Sequence, residues 1–551
     1  MWIVLAVVGV LIVVSFHDMT QTRHAIRRNF PVIGHFRYLL ESIGPELRQY
    51  IVTSNTEERP FSRAQRRWVY ASAKGQNNYF AFGTDEPVES AANFLIVKHV
   101  AFGDSDLGVP PNEAATGARR HWIPVGKVLG GARGRRLAFR PQAAVYVSGM
   151  SFGSLSGPAV EALNRGSAIA GCIHNTGEGG AGPYHDHGAE LMWQLGTGYF
   201  GARDAFGRYS EEQLLERVDR YPVRAVEIKL SQGGKPGLGG VLPAAKVSPE
   251  IARFRGVPAG QNCISPPRHS AFRDPDSMLD FVERMAERTG LPVGIKSAVG
   301  DLTFWCELAD LMAREDRGVD FITIDGGEGG TGAAPLVFAD HVALPFNLGF
   351  SRVYRVFAEA GIAHRVVWVG SGKLGFPETS LLGFALGCDM VAVAREAMMA
   401  IGCIQAQRCH TGHCPAGVAT QNRWLMRGLD PTDKAARLAN YMVTLRQELL
   451  QLSHACGLAH PGLVSGEHLE LLDGHFGSKT VEAVFGYQPG WGTPAPEDQE
   501  RLLTLLRGGG EGTNASTGIE PARRSAKKLG VPSCPPMLHG SPCSPVTLRR
   551  H

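Results

Sequence analysis

The sequence predicts an α/β protein whose strands close into a parallel (β/α)8 barrel. Short runs of apolar and β-branched residues recur along the chain, and a stretch with helical periodicity follows most of them. Runs without polar alternation are typical of strands buried on both faces, as in parallel sheets. Glycines and polar residues collect directly after these runs, which is where barrel enzymes carry their chemistry.

Seven candidate strands fit this pattern, whereas a closed barrel requires eight. They span residues 143–150, 170–176, 223–230, 291–298, 321–327, 366–372 and 390–396. An open doubly wound sheet is the alternative, and its dinucleotide-binding form has a glycine-rich first turn. Because no G-x-G-x-x-G motif opens a helix after the first run, we favour the barrel.

The composition is that of an ordinary globular protein, with 44% hydrophobic and 20% charged residues in a chain of 551. The formal net charge of +4 is small and no basic stripe carries interleaved aromatics, so we expect no nucleic-acid partner. Ten cysteines scattered through a long chain indicate a reducing compartment, where thiols are available for metal chemistry.

The amino terminus is almost wholly apolar over residues 1–16. No Lys or Arg precedes this run, whereas Arg23, Arg27 and Arg28 follow it. A signal peptide carries its positive charge first, so we interpret residues 1–16 as a transmembrane anchor with the catalytic body in the cytoplasm. The run is shorter than the about 20 residues of a typical span, and the alternatives to an anchor are a miscalled start codon or a truncated second helix.

The remaining segments are assigned by periodicity. Residues 17–130 form an N-terminal region expected to pack on the barrel, and residues 131–430 form the barrel domain. Residues 431–506 have helical periodicity and are predicted to form a helical C-terminal extension. Residues 507–551 lose periodicity, which predicts a disordered tail.

Three cysteines form the sharpest motif. Cys403, Cys409 and Cys414 have the spacing C-x5-C-x4-C. Soft thiolate ligands this close together suit an iron–sulfur cluster, and three rather than four favour the [3Fe–4S] type. A structural zinc site that adds His410 or His413 is the alternative, although the C-x2–4-C pairs usual in such sites are absent.

Glycine-rich loops follow two late strands, at residues 325–332 and 370–373. Backbone amides without a neighbouring Cβ can approach a phosphate or a planar ring closely, and the last loops of a barrel commonly hold a phosphate. We therefore predict a phosphate-bearing cofactor at this position. The candidate residues are Asp325, Gly326, Gly327, Gly370, Ser371, Gly372, Lys373 and Arg395.

Cations also stand at strand ends. Lys296 closes the run LPVGIKSA, where an ammonium group suits the anionic reduced ring of a flavin. Lys229, Lys235 and Arg255 add donors that suit a dicarboxylate substrate.

Taken in order, five segments identify a family resemblance: SGMSFGSLSGPAVEALNRG, HNTGEGG, KLSQGGKPGLGG, DGGEGGTGAAP and GC-x5-C-x4-CPAGVATQ. Over roughly residues 60–440 the chain resembles the FMN-binding synthase domain of glutamate synthases. The resemblance implies a barrel that binds FMN and a [3Fe–4S] cluster. It further implies reduction of the 2-iminoglutarate formed from 2-oxoglutarate and ammonia.

Matching positions imply roles for individual residues. Cys403, Cys409 and Cys414 correspond to the cluster ligands. The residues implied in FMN or oxoacid contact and in catalysis are Met150, Ser151, Glu178, Lys235 and Arg255. Around Ser371, Lys373 and Arg395 the chain departs from the family's usual phosphate-loop sequence.

A second departure concerns the substrate. The chain reads KPGLGGVLPA where the family usually reads KPGEGGQLPG, so Leu238 and Val241 replace a Glu and a Gln. In the family that Gln helps to bind the oxoacid, and loss of a polar partner can change specificity sharply. The alternatives are therefore an amine or glutamate transferase, as in N-methylglutamate synthesis, and a non-catalytic subunit that carries electrons.

The expected partners follow from the same resemblance. The sequence shows no recognisable glutaminase domain and no NAD(P)H-binding module. We expect ammonia, an amine or a separate glutaminase to supply nitrogen, and ferredoxin or a separate reductase subunit to supply electrons.

Overall fold

The computed structural model describes residues 1–21, 24–79, 82–102 and 121–508. Eight parallel strands form a closed barrel in which each strand pairs with the next, and β8 pairs with β1. Strands β1–β8 are Val145–Val147, His174–Asn175, Leu191–Leu195, Val223–Lys229, Val293–Ser297, Phe321–Asp325, Val367–Ser371 and Met390–Val393. The predicted (β/α)8 fold is confirmed, and the closed order excludes an open doubly wound sheet.

Helices surround the barrel, and further helices precede and follow it in the sequence. Helices α1–α17 are Trp2–Thr20, Ala25–Asn29, Gly34–Tyr50, Arg63–Ala73, Gly157–Ala170, Glu211–Arg220, Pro249–Arg255, Pro275–Thr289, Thr303–Arg314, Leu336–His341, Phe346–Glu359, Pro377–Ala385, Arg395–Ala400, Arg423–Met426, Pro431–Ala455, Val481–Phe485 and Pro496–Arg507. Two small antiparallel sheets lie outside the barrel, one of Leu95–Val97, Leu469–Leu472 and Ser478–Thr480, the other of Val241–Leu242 and Cys263–Ile264. The predicted tail beyond residue 508 lies outside the described residues.

The eighth strand, β3, is the one that the sequence pattern missed. Leu191–Leu195 reads LMWQL, contains no β-branched residue and carries a glutamine at its fourth position. All five residues are nevertheless buried. The glutamine is tolerated because Gln194 Nε2 donates a 2.6 Å hydrogen bond to Glu227 inside the barrel.

A polar network around Glu227 joins four strands below the barrel mouth. Its carboxylate on β4 accepts hydrogen bonds from Asn175 of β2 at 2.9 Å, Gln194 of β3 at 2.6 Å and Thr323 of β6 at 2.7 Å. Glu227 is fully buried, and a buried carboxylate is costly unless its oxygens are satisfied. These donors satisfy both oxygens and fix the four strands relative to one another.

The N-terminal region and the C-terminal helices pack together on one side of the barrel. Helix α4 begins with a capping box formed by Ser62 and Gln65, and Trp68 on it donates to the Glu448 carboxylate of α15. Helix α15 lies directly against α5, where the backbones approach at Gly166.

Helix α1 extends past the predicted apolar run, to Thr20. Its apolar side chains are exposed, and it is long and apolar enough to cross a membrane, as a signal sequence would also be. Its end is fixed by Asp18, which is fully buried and accepts hydrogen bonds from the Val32 N–H and from His35 Nε2, both at 2.9 Å.

We expect Gly166→Ala to destabilise the barrel. A Cβ at this position would lie 2.8 Å from the Ala435 carbonyl oxygen and 2.7 Å from a Leu438 methyl group, so α5 and α15 would have to separate. Overpacking of this kind costs about 1–3 kcal/mol. Thermal unfolding should show a lower midpoint for this variant. Gly300→Ala, where no atom lies within 4 Å of the new Cβ, is the control, and an equal midpoint in both variants would contradict the assignment.

Candidate active site at the barrel mouth

A cavity opens at the carboxyl ends of the strands, where the sequence predicts the chemistry. Of the predicted cofactor-binding residues, it is lined by Met150, Lys296, Asp325, Ser371, Gly372, Lys373 and Arg395. Gln194, Lys229, Gln232, Gly329 and Gly330 also line it. The barrel therefore brings together residues that are up to 250 positions apart, from Ser148 to Met398.

Asp325 organises the centre of this mouth. Its Oδ1 accepts a 2.6 Å hydrogen bond from the Ser371 hydroxyl of β7, and its Oδ2 accepts a 2.9 Å hydrogen bond from the Gly233 N–H. The Lys296 Nζ of β5 lies 3.6 Å from Asp325 Oδ1. The Asp325 carboxylate on β6 thus links the two neighbouring strands, β5 and β7, to the loop after β4.

The glycines of these loops serve the close approach of backbones. A Cβ on Gly233 would lie 1.8 Å from the Gly326 carbonyl oxygen, so only glycine fits between the two loops. Gly326 and Gly327 donate their N–H groups to Ser371 and Leu344. These two glycines and Gly370 are absent from the cavity lining, and Gly329 and Gly330 of the same loop take that place. Ser151 is also absent from the cavity lining, and its hydroxyl donates a 3.0 Å hydrogen bond to the Ser154 hydroxyl.

Two cations mark one end of the cavity. Lys373 Nζ and the Arg395 guanidinium lie 5.1 and 4.9 Å from the centre of the Phe61 ring. Burial lowers the pKa of Lys373, and the nearby charge of Arg395 lowers it further. Burial also lowers the pKa of Arg395, whose described hydrogen bond goes to the Glu328 carbonyl. Two neighbouring cations held this way suit a phosphate group.

An ionic cluster adjoins the cavity on the side of β4. Lys229 Nζ lies 3.0 Å from Glu178 Oε2 and also contacts Gln232. Burial raises the pKa of Glu178, but the positive charges of Lys229, Lys235 and Arg255 outweigh it and hold the pKa below its ordinary value. Because Lys229 also lines the cavity, it connects the cluster to the cavity.

Lys235 and Arg255 occupy different positions around Glu178. Lys235 is 4% exposed and its Nζ donates to the Gly239 carbonyl at 3.3 Å; burial lowers its pKa and Lys229 adds to the effect, while Glu178 opposes it. Arg255 donates to the Phe152 carbonyl at 2.8 Å, and its guanidinium lies 4.9 Å from the centre of the Phe200 ring. Arg255 therefore supports the loop after β1 and contributes charge to Glu178.

The three predicted cluster ligands lie on one loop beside this mouth. The pKa of the Cys403 thiol is raised to about 12, mainly by burial; the hydrogen bond from the Gln405 N–H opposes the rise, and the charges of Cys409 and Cys414 contribute to it. Lys246 Nζ donates to the Cys409 carbonyl at 2.7 Å. The glycine loop connects both sites, since Gly330 lines the cavity and a Cβ on Gly332 would lie 3.4 Å from Cys409 Cβ.

The thiols are neighbours, but they do not form a finished ligand set. Among the described residues, no group of three or more His, Cys, Asp or Glu side chains is arranged to hold a metal ion. His410 of the zinc alternative lines a separate groove. Between the cysteines the backbone adopts the left-handed conformation at Gln405 and Gln407, with φ of 57° and 54°, and at Gly412, with φ of 78°.

Leu238 and Val241 line an apolar groove beside the ionic cluster. Together with Ile264 they are 39%, 41% and 68% exposed. The other lining residues are Gly237, Gly239, Pro243, Ser265, Pro267, Gly332, Ala333, Pro335 and His410. Gly239 separates the groove from Lys235, whose Nζ binds the Gly239 carbonyl. The two departures from the family sequence thus face the same space.

Two features of the mouth are not predicted by the sequence: the presence of Gln194 in the lining and the ion pair of Lys229. Gln194 lies on β3, the strand that the sequence pattern does not predict, and it lines the cavity. The sequence predicts Lys229 as a donor, but its ion pair with Glu178 depends on the spacing between β2 and β4 in the closed barrel. A lysine at the carboxyl end of a predicted barrel strand, as in VRAVEIK, is the available signal.

The family model described as a conserved region in glutamate synthase matches residues 136–459. The glutamate synthase large subunit-like protein YerD of Bacillus subtilis is 37% identical over 82% of this chain and 90% of its own length. The archaeal glutamate synthase [NADPH] of Methanocaldococcus jannaschii is 35% identical over 57% of this chain and 59% of its own. Among solved structures, a flavocytochrome b2 with sulfite bound is similar with a TM-score of 0.41, at 12% identity over 84% of this chain and 92% of that chain.

The family match covers more than half of the chain, and it contains all eight barrel strands and the cysteine loop. Both sequence relatives carry glutamate synthase names. The chain belongs to the glutamate synthase family and is a glutamate synthase-like oxidoreductase.

Proposed function

We propose that this protein reduces the imine of 2-oxoglutarate, or of a related oxoacid, to the amino acid, with FMN bound in the barrel mouth. The observation that carries the proposal is the convergence of Glu178, Lys229 and Lys235 beside a cavity lined by further cations. Such a set of charges suits an anionic substrate and an anionic cofactor held side by side.

The residues present fit FMN. Lys373 and Arg395 are two cations with pKa values lowered by burial at one end of the cavity, and they would hold the phosphate. Lys296, 5% exposed at the end of β5, would face the ring. FMN, when bound, supplies hydride chemistry, while the protein supplies binding and orientation.

The ionic cluster would bind and protonate the substrate. Lys229 is positioned to pair with a substrate carboxylate, because it lines the cavity as well as pairing with Glu178. Lys235 is our candidate proton donor to the imine nitrogen, since burial lowers the pKa of its Nζ and makes it a stronger acid than an ordinary lysine. Glu178 pairs with Lys229, and its negative charge also acts on Lys235.

The cysteine loop fits a [3Fe–4S] cluster by donor type and position. The three thiols lie on one loop, close enough for Cys409 and Cys414 to raise the pKa of Cys403, and this loop touches the glycine segment that lines the cavity. Soft thiolates favour iron–sulfur clusters, and ligand binding requires their deprotonation. Ferredoxin or a separate reductase subunit is the proposed electron donor. Ammonia, or a separate glutaminase, is the proposed nitrogen source.

A second candidate function is favoured by the apolar groove. Leu238, Val241 and Ile264 offer exposed apolar surface in the groove that Gly239 also lines, and the Gly239 carbonyl accepts the hydrogen bond from Lys235. An amine or oxoacid with an alkyl substituent would bury this surface, whereas ammonia and 2-oxoglutarate would leave it exposed. The same mouth would then act in an amine-dependent reaction of the N-methylglutamate type.

The proposed reaction predicts loss of turnover in Lys235→Met. Removal of a general acid lowers the rate about 10²–10⁴-fold. The assay is glutamate formation from 2-oxoglutarate, ammonia and reduced ferredoxin, with Lys98→Met, a lysine paired with Glu470 at 3.7 Å, as the control. Unchanged turnover in Lys235→Met would remove this lysine from the mechanism. No product from unmodified protein that holds both cofactors would reject the synthase reaction itself.

The proposed cluster predicts that Cys409→Ser abolishes a [3Fe–4S] signal in low-temperature electron paramagnetic resonance and leaves bound FMN in place. The matched control is Cys306→Ser, which alters an exposed cysteine on α9. Loss of the signal in both variants, or its survival in Cys409→Ser, would contradict the assignment of this loop.

The groove predicts a change of specificity in the double variant Leu238→Glu with Val241→Gln. Apolar pocket contacts are worth about 10- to 200-fold in discrimination for each methylene. We expect the ratio of kcat/KM for methylamine to that for ammonia to fall by at least about tenfold. Leu137→Glu, at an exposed leucine outside the groove, should leave the ratio unchanged. An unaltered ratio in the double variant would dismiss the second candidate function.

A further inference from the structure

Helix α3 carries an apolar stripe without a partner among the described residues. Phe36, Leu39, Leu40, Ile43 and Leu47 follow the i, i+3, i+4, i+7, i+11 pattern, which places them on one face of the helix. Each of these side chains is between 41% and 61% exposed. An exposed apolar patch of this kind marks an interaction surface.

The stripe is continuous with the apolar N-terminal helix. The buried Asp18 at the end of α1 binds the Val32 N–H and His35 at the start of α3, so the two helices are joined directly. Phe30 and Ile33, 63% and 78% exposed, extend the apolar surface across this junction.

The charge around the stripe favours an anionic partner. Residues 24–50 contain four arginines against two glutamates. Glu41 is paired with Arg37 at 2.7 Å, and Glu46 is paired with Arg408 of the cysteine loop, whereas Arg28 and Arg48 are exposed. Basic amphipathic helices of this composition bind in the interface of anionic membranes.

The other end of α3 lies on the cysteine loop. Tyr50 donates to the Ile404 carbonyl at 3.3 Å, and Gln49 donates to the Gln405 carbonyl. Ile404 itself is 40% exposed, and Ile51 and Val52, directly after α3, are 71% and 75% exposed. The exposed apolar surface therefore runs from α1 along α3 to the residue after Cys403.

We propose that α3 lies in the plane of an anionic membrane, with its apolar stripe in the acyl-chain boundary, and that it holds the cysteine loop at the membrane surface. The bilayer covers an apolar surface that the described residues leave bare. The proposal goes beyond the proposed function and does not depend on the reaction that the barrel catalyses. Where the proposed function holds, it places electron entry at the membrane surface.

The test uses the full chain reconstituted in vesicles of phosphatidylcholine and phosphatidylglycerol. Tryptophan is introduced in the stripe with Leu40→Trp, and at the adjacent residue on the polar side with Glu41→Trp. Emission is recorded as the difference from the parent protein, with lipids brominated in their acyl chains as the quencher. We expect strong quenching of the emission added by Leu40→Trp and little of that added by Glu41→Trp. Replacing the phosphatidylglycerol with phosphatidylcholine should weaken the quenching of the emission added by Leu40→Trp.

A third variant, Val52→Trp, tests the position of the cysteine loop with a quencher in the lipid headgroup. We expect its emission to be quenched. Absence of quenching would overturn the placement of the loop at the surface.

Two other results would overturn the in-plane helix. Equal quenching of Leu40→Trp and Glu41→Trp would mean that α3 is either outside the bilayer or surrounded by it. Protection of Leu40→Trp together with dimers in native mass spectrometry would identify a second copy of the chain as the partner of the stripe.

Discussion

Buried positive charge at the barrel mouth is the constraint on which the rest of the site depends. Lys229, Lys235, Lys296 and Arg255 are each less than a tenth exposed. Glu178 and Asp325 are the acids that face them in the described contacts. Buried ions are stable only when they are paired and hydrogen-bonded. A mouth with more buried cations than facing acids is therefore suited to bind anions. A cofactor phosphate and a substrate carboxylate are the anions that the proposed function supplies.

The closed barrel makes this arrangement possible. Lys229 and Lys296 lie at the carboxyl ends of β4 and β5, and Lys235 and Arg255 lie in the segment that follows β4. The network around Glu227 fixes the strands beneath them. Asp325 and the close contact of Gly233 with Gly326 then bind two loops into one rim. The cysteine loop meets that rim at Gly332, so the two proposed redox centres adjoin the same glycine loop.

The sequence predicted the barrel and much of its rim, because apolar strand runs followed by polar residues survive in the pattern. It missed β3, where a short run without β-branched residues holds Gln194 toward the barrel interior. It also placed Gly326, Gly327 and Gly370 at the cofactor, because the glycine motif alone cannot distinguish a ligand cradle from a backbone contact. The ion pair of Lys229 with Glu178 joins residues 51 positions apart and depends on strand order, which no local pattern contains.

The most direct test of the account is the affinity of the protein for FMN, measured by fluorescence titration of the flavin-free protein. The account predicts one FMN per chain, and binding weaker by about ten- to a hundredfold in Arg395→Gln, since a charge-assisted hydrogen bond contributes about 1.5–3 kcal/mol. Arg314→Gln, which alters an exposed arginine paired with Asp310, should bind FMN normally. Equal affinity in the two variants, or the absence of FMN binding in the unmodified protein, would contradict the assignment of the buried cations to bound anions.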